Sequence, residues 1–349
     1  MIRHSVRILG AVALAIPLVS GIHATAQQQV PPAPATNAPA AQATPAAAAD
    51  QPTPASAPSA PAPAAPVLPA PNPADFTAAS PTKDVVNAFL RANWGYDDSR
   101  IFQVQAILKT PVEGISKVVV LTADRGGKNN QVQSLAFFVM PDGKHIIASD
   151  QMINFGADPF AEVRQLIREK ADGPYRGSAS KDLELVEFAD FQCPHCKEAQ
   201  ANMDKLVADF PKARIVFQNW PIASIHPASV QAAEYGLCVS KQGGSPAFFQ
   251  FAAAVFDGQE GLASQDGATL TLNSAVVKAG LDPAKIAACA ADPQVKAQVD
   301  ASVELGAEVD IRQVPTLVVN GREVLANAPY DELKKIVEYQ AKMDNVSLQ

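Results

Sequence analysis

The chain has 349 residues, a formal net charge of −7 and 48% hydrophobic residues, room for two ordinary domains with real cores. The acidic balance argues against nucleic acid or an anionic membrane surface as a partner.

The first 26 residues carry Arg3 and Arg7, the apolar run ILGAVALAIPLVSG and a small-x-small ending at Ala26. That is the pattern of a secretory signal peptide over 1–26. The apolar run is shorter than the roughly 20 residues that span a bilayer. Cleavage would remove two cations and leave a charge of −9. Residues 27–79 are Ala- and Pro-rich, and fifteen of the 29 prolines fall between Pro31 and Pro81. Such a composition cannot bury a core and reads as a disordered, partly extended tether.

Folding signals begin at 80. Ser80 reads as a helix cap with Pro81 at the first helical position, and Val85, Val86, Phe89 and Leu90 share one helical face. The runs RIFQVQAIL, SKVVVLTAD, VQSLAFFVM and HIIAS follow without an intervening helix. Consecutive strands predict an antiparallel meander, so 80–157 reads as a small α+β domain. A linker helix over 158–177 is expected from Asp158 as cap, Pro159, and the stripe Phe160, Val163, Leu166, Ile167. The second domain is expected over 178–349. Its order is strand, helix, strand, a helical insertion over 226–309, two strands joined at the turn signal NGR, and a last helix.

Two of the four cysteines stand in VEFADFQCPHCKEAQ, where Cys193 and Cys196 open a helix directly after a strand. That context makes a C-x-x-C pair redox-active. Free N–H groups and the positive dipole end at the helix start would stabilise a Cys193 thiolate as the exposed nucleophile. Cys196, one turn inside, would be the resolving thiol. Pro194 fits the first turn, where no hydrogen-bond donor is lost. His195 is positioned to donate to the thiolate, and a better stabilised thiolate makes a stronger oxidant. Structural zinc requires four ligands, but Cys238, Cys289 and His226 are single and far apart. Glu187 lies six residues before Cys193 on the feeding strand, a candidate proton carrier for Cys196. Val314, Pro315 and Thr316 enter a later strand, where proline is awkward and often cis. They are candidates for binding an extended substrate segment.

These features together resemble the thioredoxin superfamily and, through the insertion, the DsbA family of periplasmic thiol–disulfide oxidoreductases. The resemblance implies an α/β thioredoxin fold with a helical insertion, attack at Cys193, resolution by Cys196 and a peptide groove shaped by Pro315. It implies no metal or organic cofactor, exported protein substrates that are reduced or misfolded, a periplasmic location and a membrane redox partner. It also implies a non-catalytic disulfide between Cys238 and Cys289, with two buried thiols as the alternative. The small, cystatin-like α+β domain and linker helix resemble the layout of DsbC/DsbG isomerases, which implies a homodimer formed through that domain. Oxidase, isomerase and non-enzymatic holdase therefore all stay open.

Overall fold

The computed structural model describes residues 67–125, 132–148 and 151–348. The signal peptide expected over 1–26 and the tether up to residue 66 lie outside the described residues.

The first sheet is a five-stranded meander of β1 (Arg100–Lys109), β2 (Ser116–Asp124), β3 (Gln133–Val139), β4 (His145–Ala148) and β5 (Gln151–Asn154). Helix α1 (Lys83–Trp94) covers one face, where Val86, Phe89 and Leu90 pack on Val104, Val118, Val120 and Phe137. Three local expectations are corrected here. Thr82, not Ser80, caps α1, because its hydroxyl reaches the Val85 N–H at 3.3 Å, and Pro81 precedes the helix. Val85 is exposed rather than part of the buried stripe. The described end of the tether is held to the sheet, because Thr77 and Ala78 donate to the Ile107 carbonyl along the edge of β1 and Phe76 packs on the core. β5 has no strong pattern of its own and is defined by pairing with β4.

The linker helix α2 is shorter than expected, Ala161–Lys170. Asp158 does not cap it and instead pairs with Arg164. Tyr175–Gly177, assigned from sequence to the linker, forms β6 and belongs to the second sheet.

That sheet has the order β10-β9-β7-β8-β6, with β7 (Glu184–Ala189), β8 (Arg214–Asn219), β9 (Thr316–Val319) and β10 (Arg322–Leu325). β7 and β8 are parallel, and the other pairings are antiparallel. Side chains alternate across β7. Leu185 faces α3 (Pro194–Asp209) and α8 (Tyr330–Met343), whereas Val186 and Phe188 face α2 and α7 (Pro293–Glu308). Every residue of β7 is buried, as expected for a central strand covered on both sides.

The insertion between β8 and β9 comprises α4 (Ser229–Asp257), α5 (Gln265–Lys278), α6 (Pro283–Ala290) and α7. α4 breaks at Gly244, whose φ of 72° glycine alone tolerates well, and Pro246 opens the second arm. Cys238 on α4 and Cys289 on α6 are joined, with Cα atoms 5.9 Å apart. The bond closes a separation of 51 residues. On the chain-entropy model its loss costs about 4 kcal/mol. Replacing both cysteines by alanine should lower the denaturation midpoint accordingly, measured by urea unfolding under non-reducing conditions.

Candidate active site

β7 delivers the chain to the turn Asp190–Cys193, which α3 then continues. Cys193 is the N-cap of α3 and Pro194 its first residue, so the missing proline N–H costs nothing. Both cysteines are free thiols. Cys196 is completely buried, and Cys193 is only 6% exposed. The expectation of an exposed nucleophile is thus corrected. The insertion covers the turn: Gln259 Nε2 donates to the carbonyls of Phe191 (2.8 Å) and Cys193 (3.0 Å), and Gln192 Nε2 donates to Leu262 O (3.1 Å). Phe191 is fixed among Phe217, Phe248, Phe251 and Phe256 at centroid distances of 5.1–6.1 Å.

The two sulfurs are electrostatically opposite. The Cys193 thiol is lowered to about 6, first by the hydrogen bond from the Cys196 thiol, then by the backbone N–H groups of Cys196 and His195; burial and the Asp190 charge oppose this. Burial pushes Cys196 strongly upward, and the Cys193 and Glu187 charges add to it. The pair therefore splits into one sulfur that ionises readily and one that holds its proton.

His195 contributes through its backbone more than its ring. The exposed imidazole engages Glu198 Oε2 at 3.0 Å instead of the Cys193 sulfur, and Glu198 raises its pKa. This corrects the expected donation from the ring, because an exposed side chain turns to the nearest carboxylate on its own helix face.

Glu187 is buried on the α3 side of the sheet. Burial pushes its carboxyl up to about 7, against the Arg176 charge and a 2.8 Å hydrogen bond from Gln200 Nε2. Gln200 Nε2 also donates to Cys196 O at 3.2 Å, linking the acid to the helix that carries the thiol. The sign of the linkage is clear. Folding keeps Glu187 protonated over a range in which the unfolded chain ionises, from the ordinary 4.5 to about 7. Stability is therefore lost as pH rises through that window. Glu187→Gln should raise stability by about 3 kcal/mol at pH 8 and leave it unchanged at pH 4, read from unfolding curves at both pH values.

The Val314–Pro315 peptide is cis. Val314 packs against the apolar cluster that contains both cysteines, so the structure brings the two distant motifs together. The Thr316 hydroxyl is not free for a ligand, because it donates to Gln313 O at 2.8 Å.

The sequence reading passed over Asp190, Gln192, Gln259 and the pairing of His226. Asp190 N–H donates to Cys196 Sγ at 3.4 Å, and its carboxylate accepts from His226 Nδ1 at 2.8 Å. Asp190 and Gln192 stand inside the motif already singled out. Gln259 and His226 gave no signal, because only the folded insertion brings them to the turn.

Residues 169–339 match the thioredoxin family model, and this segment carries the strand, C-x-x-C helix and cis-proline loop just described. This segment belongs to the thioredoxin superfamily. Among solved structures, the chain is similar to a thioredoxin-like oxidoreductase from Silicibacter pomeroyi, with 27% identity and a TM-score of 0.44 over 51% of this chain and 98% of that one. It is also similar to BdbD from Bacillus subtilis, with 23% identity, a TM-score of 0.45 and coverage of 50% and 95%. A third is the thiol-disulfide exchange protein α-DsbA2 from Wolbachia pipientis, with 21% identity, a TM-score of 0.44 and coverage of 51% and 96%.

Curated relatives include the Na(+)/H(+) antiporters NhaA 3 of Salinispora tropica, 27% identical over 45% of this chain and 22% of that protein, and NhaA 1 of Mycolicibacterium vanbaalenii, 28% identical over 48% and 26%. The chain spans about a quarter of the length of the curated relatives it matches. Among the described residues, no helix is long and apolar enough to cross a membrane.

Proposed function

We propose that this DsbA-like protein is exported to the periplasm and introduces disulfides into other exported proteins. The observation that carries the reading is the asymmetry of the two thiols, with Cys193 ionising near 6 and Cys196 buried and held protonated above Glu187. A stabilised thiolate favours the dithiol form, which makes the disulfide form an oxidant.

A substrate thiolate attacks Cys193 Sγ of the disulfide, and the bond to Cys196 breaks. The Cys196 thiolate takes a proton from Glu187. A second substrate thiolate then attacks the substrate sulfur of the mixed disulfide and expels Cys193 as a thiolate. The substrate loses two electrons and the protein gains them, so a membrane redox partner is needed to restore the disulfide. Val314 and the cis Pro315 border the site and would align an extended substrate segment. The signal-peptide pattern over 1–26 supports export.

A second reading, a dimeric isomerase, is favoured by the first sheet. Phe138, Ile147 and Met152 are cross-strand neighbours, on the opposite face from Phe137, Val139 and Ile146, which pack under α1. Phe138 and Met152 are exposed. An apolar row of this kind suits a second copy of the chain. Refolding a fully reduced and a scrambled substrate side by side, with the mass in solution measured by light scattering, separates the readings. Efficient oxidation of the reduced substrate by a monomer supports the oxidase. Rescue of only the scrambled substrate by a dimer overturns it.

A further inference from the structure

Asp190 and His226 play no part in the steps above, yet the Asp190 backbone bonds to Cys193 N and Cys196 Sγ, and its carboxylate pairs with His226. The Asp190 side chain is fully buried, and a buried carboxylate is costly unless donors surround it. Three N–H groups do so: Gln192 N reaches Oδ1 at 2.7 Å, and Ile222 N and His226 Nδ1 each reach Oδ2 at 2.8 Å. The Asp190 backbone N–H donates in turn to Cys196 Sγ. Its charge acts on Cys193 against ionisation. When the dithiol forms, a thiolate and a buried carboxylate therefore stand close together. His226 comes from the threshold of the insertion, and its side chain is 15% exposed, so the ring keeps contact with solvent. It donates to Asp190 in either charge state, but only its protonated form cancels the carboxylate charge.

We propose that Asp190 and His226 act as a pair of positioning residues that sets the redox poise of the Cys193–Cys196 centre. This rests on the reading of that centre as the site of exchange. An uncompensated Asp190 raises the free energy of the dithiol form, which holds the thiolate, and leaves the disulfide form almost untouched. The protein is then a weaker oxidant. Compensation by His226 makes it a stronger one. Each turnover takes two electrons from a substrate dithiol; one substrate proton ends on Cys196 and the other leaves to solvent. The pair forms no bond in this sequence. Other ionisable groups bearing on the same centre include Glu187, which acts on Cys196 from β7, and His195, whose ring Glu198 engages on α3.

The test equilibrates the full chain with glutathione buffers at pH 7 and counts dithiol and disulfide by alkylation and mass spectrometry. His226→Asn keeps an N–H for Asp190 but cannot carry a charge. It should shift the equilibrium constant away from the dithiol by at least about threefold, the equivalent of half a pH unit in thiolate ionisation. Asp190→Asn removes the charge and should shift it the opposite way. A merely structural defect has no reason to drive the two variants in opposite directions. An unchanged constant in His226→Asn, or both variants moving the same way, overturns the proposal. Should Asp190→Asn fail to fold, His226→Asn decides alone. A wild-type protein that does not cycle between dithiol and disulfide removes the exchange reading and this pair with it; one that cycles while the variants leave the constant unmoved removes the pair only.

Discussion

Cys193→Ala should reduce disulfide exchange by at least about a thousandfold, equivalent to roughly 4 kcal/mol of barrier. Cys196→Ala should behave differently. It keeps the Cys193 sulfur but loses the resolving thiol and, with it, the hydrogen bond that lowers Cys193 most, so mixed disulfides with a disulfide-bonded substrate should form more slowly, accumulate and be visible on non-reducing gels. Equal loss in both variants without trapped species would show that the two sulfurs are not divided as the electrostatics require. The same division has a pH signature. Thiolate absorbance at 240 nm should rise with a midpoint near 6 in the reduced protein. Cys193 is lowered from an ordinary 9.0, so its contribution to the stability of the reduced form grows as pH rises from about 6 to 9 and is absent below that window. At pH 7 the thiolate should favour the dithiol form by about 1 kcal/mol, which matched unfolding curves of reduced and oxidised protein would show. A midpoint near 9 would remove the physical basis for an oxidant.

The second large effect concerns the junction between the two sheets. Arg322, at the start of β10, is buried and donates to Ala92 O, to Asn93 O at 2.9 Å and to Gln340 Oε1 at 3.0 Å. Ala92 and Asn93 lie in the last turn of α1, whose carbonyls have no partner within the helix. A cation there also meets the negative end of the helix dipole. The guanidinium stacks 4.3 Å from the Phe160 ring centroid, and burial lowers it to about 10, still charged at neutral pH. Tyr339 of α8 adds a hydrogen bond to Arg91 O at 2.7 Å. Arg322→Ala would leave two carbonyls and the Gln340 amide without their donor in a closed interface. A loss of about 3–5 kcal/mol is expected, with the sheet of β1–β5 melting before the other sheet. Arg322→Lys should recover only part of it, since an ammonium cannot stack and fork in the same way. A single unchanged transition in Arg322→Ala would show that the junction is held elsewhere.

How much of this was legible in the sequence differs from residue to residue. The strand VEFA, the C-x-x-C pair at a helix start and the proline of VPT are local signals, because each depends on neighbours a few positions away in the chain. The same holds for the four strong strands of the meander. Chain ends of elements were read less well. Ser80 and Asp158 have the right chemistry for caps, but Thr82 took one role and Arg164 drew Asp158 out of the other. β6 escaped the reading since three residues hold no periodicity, and only pairing with β8 defines them.

Sequence by itself determined the C-x-x-C pair at a helix start, the strand and helix order around it and the place of Glu187 on the strand that leads to it. Only the tertiary structure decided that Cys193 is covered, that the His195 ring turns to Glu198, and that Asp190 meets His226. It alone placed Arg322, read in the sequence only as part of a hairpin, at the end of a helix 230 positions away. The reason is physical. Motifs and periodicities report local conformation, whereas burial and the partners of charged groups depend on contacts between segments far apart in the chain, and these set the pKa values and the redox balance.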